Sequence, residues 1–152
     1  MGHDSNLNSD MIYLRMAREL AAFSKCVSLH VACLLVKDGR ILSTGVNGTP
    51  AGWTNCSEQF PQGKSSAHSL WSNAHEIHAE LNAVIWAART GIAIENATAY
   101  VTHSPCVQCT KNLIAAGVKR IVYAERYDRT EDQQALTQFV RENGIDIQQI
   151  PL

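Results

Sequence analysis

The sequence predicts an α/β fold of three layers, α/β/α, with a central mixed sheet of five strands and helices on both faces. After residue 78, helical and strand patterns alternate along the chain, which favours parallel strands. Before that point, two apolar runs are joined by Asp38-Gly39, which suits a tight antiparallel hairpin and makes the sheet mixed. The length of 152 residues fits one domain, and we expect it to span residues 1–152.

The N-terminal half predicts one helix, one hairpin and one long polar segment. Apolar residues at helical spacing predict a helix over residues 9–23, with Ser9 or Asp10 as its cap. The hairpin strands are predicted over residues 31–36 and 41–46. The polar stretch 48–76 shows no pattern of its own, and so long an unstructured segment in a compact domain typically carries function or a metal.

The C-terminal half predicts three helices and three strands in alternation. The predicted helices span residues 78–89, 106–116 and 131–142, and the predicted strands span residues 97–102, 120–124 and 145–150. Gly91, Gly117 and Gly144 follow the three helices, and glycine commonly ends a helix.

Composition excludes several classes of protein. The apolar fraction of 45%, the charged fraction of 18% and the net charge of −1 are those of a globular domain, so we expect no nucleic-acid partner and no membrane partner. No stretch has the length of a transmembrane helix, and the first residues lack the features of a signal peptide. Five cysteines are an odd number, better explained by metal ligands in a reducing cytoplasm than by disulfides.

Two short motifs predict a catalytic zinc site. His78 precedes Glu80 by two residues, and Cys106 precedes Cys109 by three. One His and two Cys give zinc three protein ligands and leave the fourth position for water, as in catalytic sites. Glu80 is not needed as a ligand and is therefore placed to move protons for that water.

The local spacing supports this interpretation. Three residues separate the two cysteines at the start of a predicted helix, so both sulfurs lie on one face of its first turn. Pro105 is typical of a helix start. The positive end of a helix favours the thiolate that zinc needs. Cys-x-x-C by itself also suits a redox pair or part of a structural zinc site, but neither needs Glu80.

The chain also resembles a known family over nearly its whole length. The matching stretches are Ser24-Lys25-Cys26, residues 45–52, Asn55-Cys56, residues 66–72 and 76–83, Tyr100-Val101-Thr102, Ser104-Pro105-Cys106, Cys109 and Tyr127-Asp128. They resemble deoxycytidylate (dCMP) deaminases, especially the phage type, within the zinc-dependent cytidine/deoxycytidylate deaminase superfamily. The resemblance implies a cytidine-deaminase-like fold, hydrolysis of dCMP to dUMP and ammonia, and a supply of dUMP for thymidylate synthesis. It also implies action in the cytoplasm, which is the host's if a phage encodes the chain.

The resemblance implies a second, structural zinc. Its ligand positions fall on Cys26, Cys56, His68 and Glu76, and His75 is a competing candidate. Four protein ligands make a closed structural site, which would hold the polar segment 48–76 in place. The alternative is that both cysteines are buried thiols and that the other two residues belong to the surface.

The resemblance further suggests how a nucleotide would be bound. The main-chain N–H of Ala79 would hold the pyrimidine carbonyl, main chain at Ser104 would accept from the exocyclic amine, and Asn47 would contact the sugar 3′-hydroxyl. The expected phosphate-binding residues are Ser24, Lys25, Arg126 and Tyr127.

Family members are commonly hexamers that dCTP activates and dTTP inhibits, and Mg²⁺ would accompany a triphosphate effector. Arg89 and Gly48 match positions linked to that regulation. The chain departs from the family pattern at Val46, where an aromatic residue is usual, and at His103, where an apolar residue is usual.

Several other functions compete with this interpretation. The chain could deaminate another cytosine nucleotide such as dCTP, free cytidine or deoxycytidine, cytosine, or adenosine in transfer RNA, although its balanced charge disfavours a large RNA partner. It could also be an inactive zinc-binding module, or a redox protein that uses Cys106 and Cys109. Glu80 argues against the module, and a redox pair predicts easy disulfide formation without a tightly bound metal.

Overall fold

The structure is a computed structural model that describes residues 3–127 and 131–152. Its helices are α1 His3–Leu20, α2 Cys56–Gln59, α3 His68–His75, α4 Ala79–Thr90, α5 Val107–Ala115 and α6 Glu131–Glu142, and a 3₁₀ turn, Ala21–Phe23, follows α1. Its strands are β1 Ala32–Lys37, β2 Arg40–Val46, β3 Thr98–His103, β4 Arg120–Glu125 and β5 Asp146–Gln149. Asp128, which belongs to the family resemblance, lies outside the described residues.

The sheet has the order β2-β1-β3-β4-β5. Strand β1 is antiparallel to both β2 and β3, whereas β3, β4 and β5 run parallel. At the hairpin turn, Asp38 and Gly39 have φ angles of 51° and 71°, as the tight turn between twisted strands requires. The predicted mixed five-stranded sheet is confirmed.

Apolar residues on the two faces of the sheet form separate cores. One face packs against α4, α5 and α6, with Leu35, Ala83 and Leu113 fully buried between the layers. The other face packs against α1 through Leu14 and Ala17. The alternation of side chains along β1 supplies both cores, because successive residues of a strand point to opposite faces. The three-layer α/β/α arrangement follows.

Helix α4 lies unusually close to the sheet. A Cβ atom on Gly45 of β2 would stand 2.2 Å from the carbonyl oxygen of Ala79 and 2.5 Å from the amide nitrogen of Ala83. The Ser43 hydroxyl donates to the Ala83 carbonyl oxygen at 2.7 Å, and the Asn82 side-chain amide donates to the Val46 carbonyl oxygen at 2.8 Å. These contacts fix the position of α4 on the sheet.

The predicted cap of the first helix is wrong. The helix begins at His3, before Ser9 and Asp10. Asp10 is instead buried, and its carboxylate accepts two hydrogen bonds from Arg120, at 2.8 and 2.6 Å, and one from Tyr100 at 2.6 Å. Asp10 lies well inside α1, beyond the first turn whose N–H groups need a cap, so its carboxylate is available to Arg120 and Tyr100.

The prediction that segment 48–76 lacks structure is also wrong, because α2 and α3 lie within it. Asn55 and Glu58 form a capping box that starts α2, with the backbone N–H of Asn55 donating to the Glu58 carboxylate at 2.8 Å. Gly48 and Ile77 close the base of the segment by two backbone hydrogen bonds, of 3.1 and 2.8 Å. Among the described helices, none combines the length and the hydropathy that a membrane span needs.

Candidate metal centre and active-site cavity

The N-termini of two helices bring the catalytic zinc motif together. His78 is the N-cap residue of α4 and Cys106 is the N-cap residue of α5, while Cys109 lies in the first turn of α5. The candidate ligand atoms of the three side chains all lie within 4.8 Å of one another. Both helices follow extended segments at the same edge of the sheet, so residues separated in the sequence meet in space.

The distances between these atoms suit zinc. Nδ1 of His78 lies 3.5 Å from the sulfur of Cys106 and 3.4 Å from the sulfur of Cys109. Zinc–nitrogen and zinc–sulfur bonds of roughly 2.0 and 2.3 Å at a tetrahedral angle place nitrogen and sulfur about 3.5 Å apart. The three donors therefore have the chemistry and the spacing of a three-ligand zinc site.

Electrostatics favour a thiolate in this cluster. The pKa of Cys106 is lowered, chiefly because its sulfur accepts a hydrogen bond from Cys109 and also because it lies against His78. The backbone amide of Cys109 donates to the same sulfur at 3.4 Å. A thiolate at the start of a helix is the form in which cysteine binds metals.

Glu80 is buried beside the cluster. Only 5% of its surface is exposed, and it lies in the first turn of α4, two residues after His78. Burial raises the pKa of its carboxyl, an effect that hydrogen bonds from its own backbone amide and from Cys109 partly offset. A carboxylate held in this way can exchange protons with a neighbouring water or substrate.

A second cluster joins Cys26, Cys56, His68 and Glu76. Their candidate ligand atoms also lie within 4.8 Å of one another, and the sulfur of Cys26 is 3.7 Å from Nε2 of His68. Cys26 precedes β1, Cys56 begins α2, and the last two residues lie at the two ends of α3. The four side chains thus join the segment 48–76 to the chain that follows α1.

The surroundings of Glu76 fit a bound cation. Its side chain is 3% exposed, and neither carboxylate oxygen has a hydrogen-bond partner among the described residues. Nε2 of His68 is 3.9 Å from Oε1, which is beyond hydrogen-bond distance. Burial and Glu76 both raise the pKa of Cys56. A buried carboxylate beside two thiols is costly unless a cation compensates it, so this donor set fits a closed metal site.

His75, the competing ligand candidate, lies outside this cluster. Its ring stacks on Trp71 with centroids 4.6 Å apart, and Nδ1 bonds the Trp71 carbonyl oxygen at 2.7 Å. His103, which precedes the Cys-x-x-C motif, lies 3.3 Å from the Glu125 carboxylate and 2.9 Å from the Thr102 hydroxyl. Both histidines therefore have partners other than the two candidate metal centres.

One cavity of about 290 Å³ connects the two clusters. Its lining includes His78, Glu80 and Cys106 from the first cluster and Cys26, His68 and Glu76 from the second. Its remaining lining includes Asn47, Ala79, Ser104 and Tyr127 from the sequence prediction. A ligand in this cavity would contact Glu80 at one end and the segment 48–76 at the other.

Asn47 holds the cavity wall in place. Its side-chain amide donates to the Leu29 carbonyl oxygen at 2.7 Å, and its side-chain oxygen accepts from the Val31 amide at 2.9 Å. The Ser104 hydroxyl accepts from the Tyr127 amide at 2.7 Å. Any contact of these residues with a ligand would come in addition to these bonds.

Three of the predicted phosphate-binding residues lie outside the cavity lining. Ser24 is buried, and its hydroxyl donates to the Asn47 carbonyl oxygen at 3.0 Å and accepts from the Cys26 amide at 3.3 Å. Lys25 does not line the cavity, and Arg126 lines a neighbouring one. Ser24 therefore supports the loop around Asn47, because its hydroxyl is already committed there.

Lys64 was missed by the sequence analysis. It lines the cavity together with Ser28, Ser69 and Asn73. It is the one lysine or arginine among the described residues of that lining, and it lies between α2 and α3. Nothing in its local sequence distinguishes it from a solvated surface lysine, so only the folding of segment 48–76 reveals its position.

The two predicted regulatory residues lie apart. The guanidinium carbon of Arg89 is 5.9 Å from the centroid of the Trp86 ring, on the exposed side of α4. Gly48 forms the backbone bridge to Ile77 directly before His78. Only Gly48 is therefore in direct contact with a residue next to the metal cluster.

Comparison with known proteins gives a consistent result. Residues 7–125 match the family described as the cytidine and deoxycytidylate deaminase zinc-binding region. The deoxycytidylate deaminase of enterobacteria phage T2 is 38% identical over 91% of this chain and 90% of its own length. ComE operon protein 2 of Bacillus subtilis is 33% identical over 92% of this chain and 70% of its own.

A solved structure supports the same assignment. The dCMP deaminase of cyanophage S-TIM5, in complex with dCMP and dUMP, is 30% identical, has a TM-score of 0.76 and covers 99% of both chains. Its fold confirms the cytidine-deaminase-like arrangement predicted from the resemblance, and the family match together with the first cluster supports zinc as the metal. The chain belongs to the cytidine and deoxycytidylate deaminase family.

Proposed function

We propose that the chain hydrolyses the 4-amino group of dCMP, giving dUMP and ammonia. The observation that carries this proposal is the buried Glu80, which lines one cavity with His78 and Cys106 and lies beside the cluster that these two residues form with Cys109. The similarity to the S-TIM5 dCMP deaminase, whose structure contains dCMP and dUMP, supports the choice of base and sugar. The product would supply dUMP for thymidylate synthesis.

A zinc ion held by His78, Cys106 and Cys109 would supply a Lewis-acid centre that lowers the pKa of a bound water toward about 7. The water oxygen bonds to carbon 4 of cytosine as Glu80 accepts one of its protons and delivers it to ring nitrogen 3. Glu80 then takes the proton of the new hydroxyl group on carbon 4 and delivers it to the amino group. The bond between carbon 4 and the amine breaks, ammonia leaves, and the hydroxyl oxygen becomes the second carbonyl of uracil. Burial of Glu80 keeps competing water from these transfers.

Backbone groups orient the base in this proposal. Ala79 is the first residue of α4, where N–H groups have no partner within the helix, and it binds the pyrimidine carbonyl. Main chain at Ser104 accepts from the amine, and Asn47 contacts the sugar. Tyr127 lies at the cavity wall, and Lys64 supplies the cation nearest to a phosphate in the cavity, in place of Lys25 or Arg126.

The second cluster is proposed to hold a structural zinc. Four donors close the coordination of the metal, and the partnerless oxygens of Glu76 support a cation there. Two zinc ions per chain are the expected metal content. A Glu76→Gln variant that retains both would remove this part of the proposal.

Regulation and assembly are proposed from the family resemblance. We expect dCTP with Mg²⁺ to activate, dTTP to inhibit, and the chain to form a homo-oligomer such as a hexamer, with residues 1–152 as one catalytic domain. Arg89 and Gly48 are the expected effector positions. The free thiols of all five cysteines suit action in a reducing cytoplasm.

The test measures loss of the cytosine amine from dCMP, deoxycytidine, CMP and dCTP side by side, with zinc quantified on the same sample. Turnover of dCMP well above that of deoxycytidine is expected, because only the nucleotide offers a phosphate. Preference for deoxycytidine or for dCTP would favour the alternative substrates. A zinc-loaded protein inactive on all four would contradict cytosine nucleotide deamination.

A further inference from the structure

Helix α1 carries a second apolar stripe that faces away from the sheet. Its inner face buries Leu14 and Ala17 completely. On the outer side, Ile12 and Met16 are 53% and 43% exposed, and Phe23, in the 3₁₀ turn that extends the helix, is 71% exposed. A surface helix normally presents polar residues outward, so the burial of the inner face does not explain this stripe.

The exposed residues form one continuous surface. The residues that line it are Ile12, Arg15, Met16, Glu19, Leu20 and Phe23. A contiguous exposed apolar patch on a globular protein usually marks an interaction site. We call these six residues the α1 stripe.

The charges on the α1 stripe are self-complementary. Arg15 and Glu19 lie one turn apart on the same flank of the apolar residues. Neither forms an ion pair with another residue in the described part of the chain. One positive and one negative group on one flank can pair with the same two groups of an identical surface when that surface is reversed.

We propose that the α1 stripe is a homodimer interface in which α1 packs antiparallel against α1 of a second copy, across a two-fold axis near residues 17 and 18. In antiparallel packing, identical flanks of the two helices meet, so Arg15 lies against the partner's Glu19 and Ile12 against the partner's Phe23. Parallel packing would bring the charged flank against Leu20 and leave both charges unpaired. A two-fold contact of this kind is isologous, because each copy contributes the same patch.

A lipid surface fits the stripe poorly. Membrane-surface helices carry an excess of Lys and Arg around their apolar face. Here the flank holds one charge of each sign, and the whole chain has a net charge of −1. The charge pattern therefore favours a second copy of the chain, and not a lipid surface, as the partner of the α1 stripe.

The test is a charge-reversal cycle on the zinc-loaded full chain, read as mass against concentration by analytical ultracentrifugation. Arg15→Glu and Glu19→Arg each place like charges opposite each other, and each should raise the dissociation constant about tenfold or more. The double variant restores opposite charges and should return near the wild-type value. Arg18→Glu is the matched control, because it reverses a charge on the same helix but lines a separate cavity with His30 and His103.

Met16→Glu gives a second measurement. It places a charge in the centre of the α1 stripe and should dissociate the two copies that meet there, which halves the measured mass. Thermal melting of each variant checks that the exposed substitutions leave the fold intact. A monomeric wild-type chain, or a mass unchanged by Met16→Glu and by both single reversals, overturns the proposal. A double reversal as dissociated as the single ones overturns the antiparallel register. Deamination measured in parallel is independent of these outcomes, so a failed interface and a failed enzyme assignment are distinguishable.

Discussion

The two candidate metal clusters contain similar residues in different surroundings. The first has three donors, stands at the N-termini of α4 and α5, and lies beside Glu80. The second has four donors, three of them buried, and joins α2 and α3 to the chain before β1. In a zinc site, three protein donors leave a fourth position for water and four donors close it, so we expect chemistry at the first cluster and fastening of segment 48–76 at the second. Donor count and the neighbouring carboxylate, more than residue type, distinguish chemistry from structure.

The largest expected effect is on Glu80. Glu80→Gln keeps the size of the side chain but removes its ability to accept and release a proton, so turnover of dCMP should fall by roughly 10²–10⁴-fold. Zinc content and melting temperature should stay near wild type, since Glu80 is not a ligand. Turnover within a factor of about two of wild type would remove Glu80 from the proton path.

Replacing one ligand in each cluster tests directly whether the two clusters have different roles. Cys106→Ser and Cys56→Ser should each lose about one zinc per chain, but only Cys56→Ser should lower the melting temperature strongly. A loss of roughly 3 kcal/mol corresponds to about 6–12 °C for a domain of this size. Metal analysis and calorimetry on the same samples check both. Equal melting temperatures for the two variants would contradict the division into catalytic and structural sites.

Gly45→Ala tests the difference between the clusters through α4, which positions His78 and Glu80 at the first cluster and holds no ligand of the second. Its new Cβ would meet backbone of Ala79 and Ala83 at 2.2 and 2.5 Å, so α4 must shift. We expect a loss of about 1–3 kcal/mol in the free energy of unfolding. Activity should fall while the second zinc is retained. Thr44→Ala, on the exposed face of the same strand, is the control and should leave both unchanged.

The smallest expected effect is on the carboxylate of Asp10, which stabilises the fold through hydrogen bonds and needs no metal. Burial alone would raise the pKa of Asp10, but hydrogen bonds from Arg120 and Tyr100 outweigh it and lower that pKa. The stabilisation is therefore present above the pKa of an unfolded Asp, about 3.9, and is lost as pH falls through the lower folded value.

Asp10→Asn should lower the free energy of unfolding by about 2 kcal/mol at pH 7. The difference in this free energy between variant and wild type should shrink toward pH 3. Denaturant unfolding across this pH range measures the difference, with Asp38→Asn at an exposed position as the control. Acid release of zinc affects all three proteins alike, so it cancels in the comparison. A difference that stays constant with pH would show that the Asp10 charge is not what stabilises α1.

The sequence predicted those parts of the molecule whose cause is local. Asp38-Gly39 predicted the hairpin turn, and the two metal motifs predicted the starts of α4 and α5 to within one residue. Asp10 was misread because its partner Arg120 is 110 residues away. No local pattern reports a partner at that distance.

Segment 48–76 shows the same limit. The cap at Asn55 starts a helix of four residues, too short to show an apolar period. Lys64, between α2 and α3, lines the cavity together with residues as distant in the sequence as Ser28 and Tyr127. The ligand set of the second cluster came from family resemblance, since spacing alone could not choose between His75 and Glu76. Local chemistry therefore identified the first cluster, whereas the second required three-dimensional structure or relatives.

The backbone bridge between Gly48 and Ile77 has a consequence for how this enzyme can change. Two hydrogen bonds close the base of the segment one residue before His78, so the length of the segment need not change the position of the first cluster. Turns of the segment that carry none of Cys56, Lys64, His68 and Glu76 can therefore vary in length without displacing His78 or Glu80. Such variation would reshape the wall of the cavity while the first cluster stays in place.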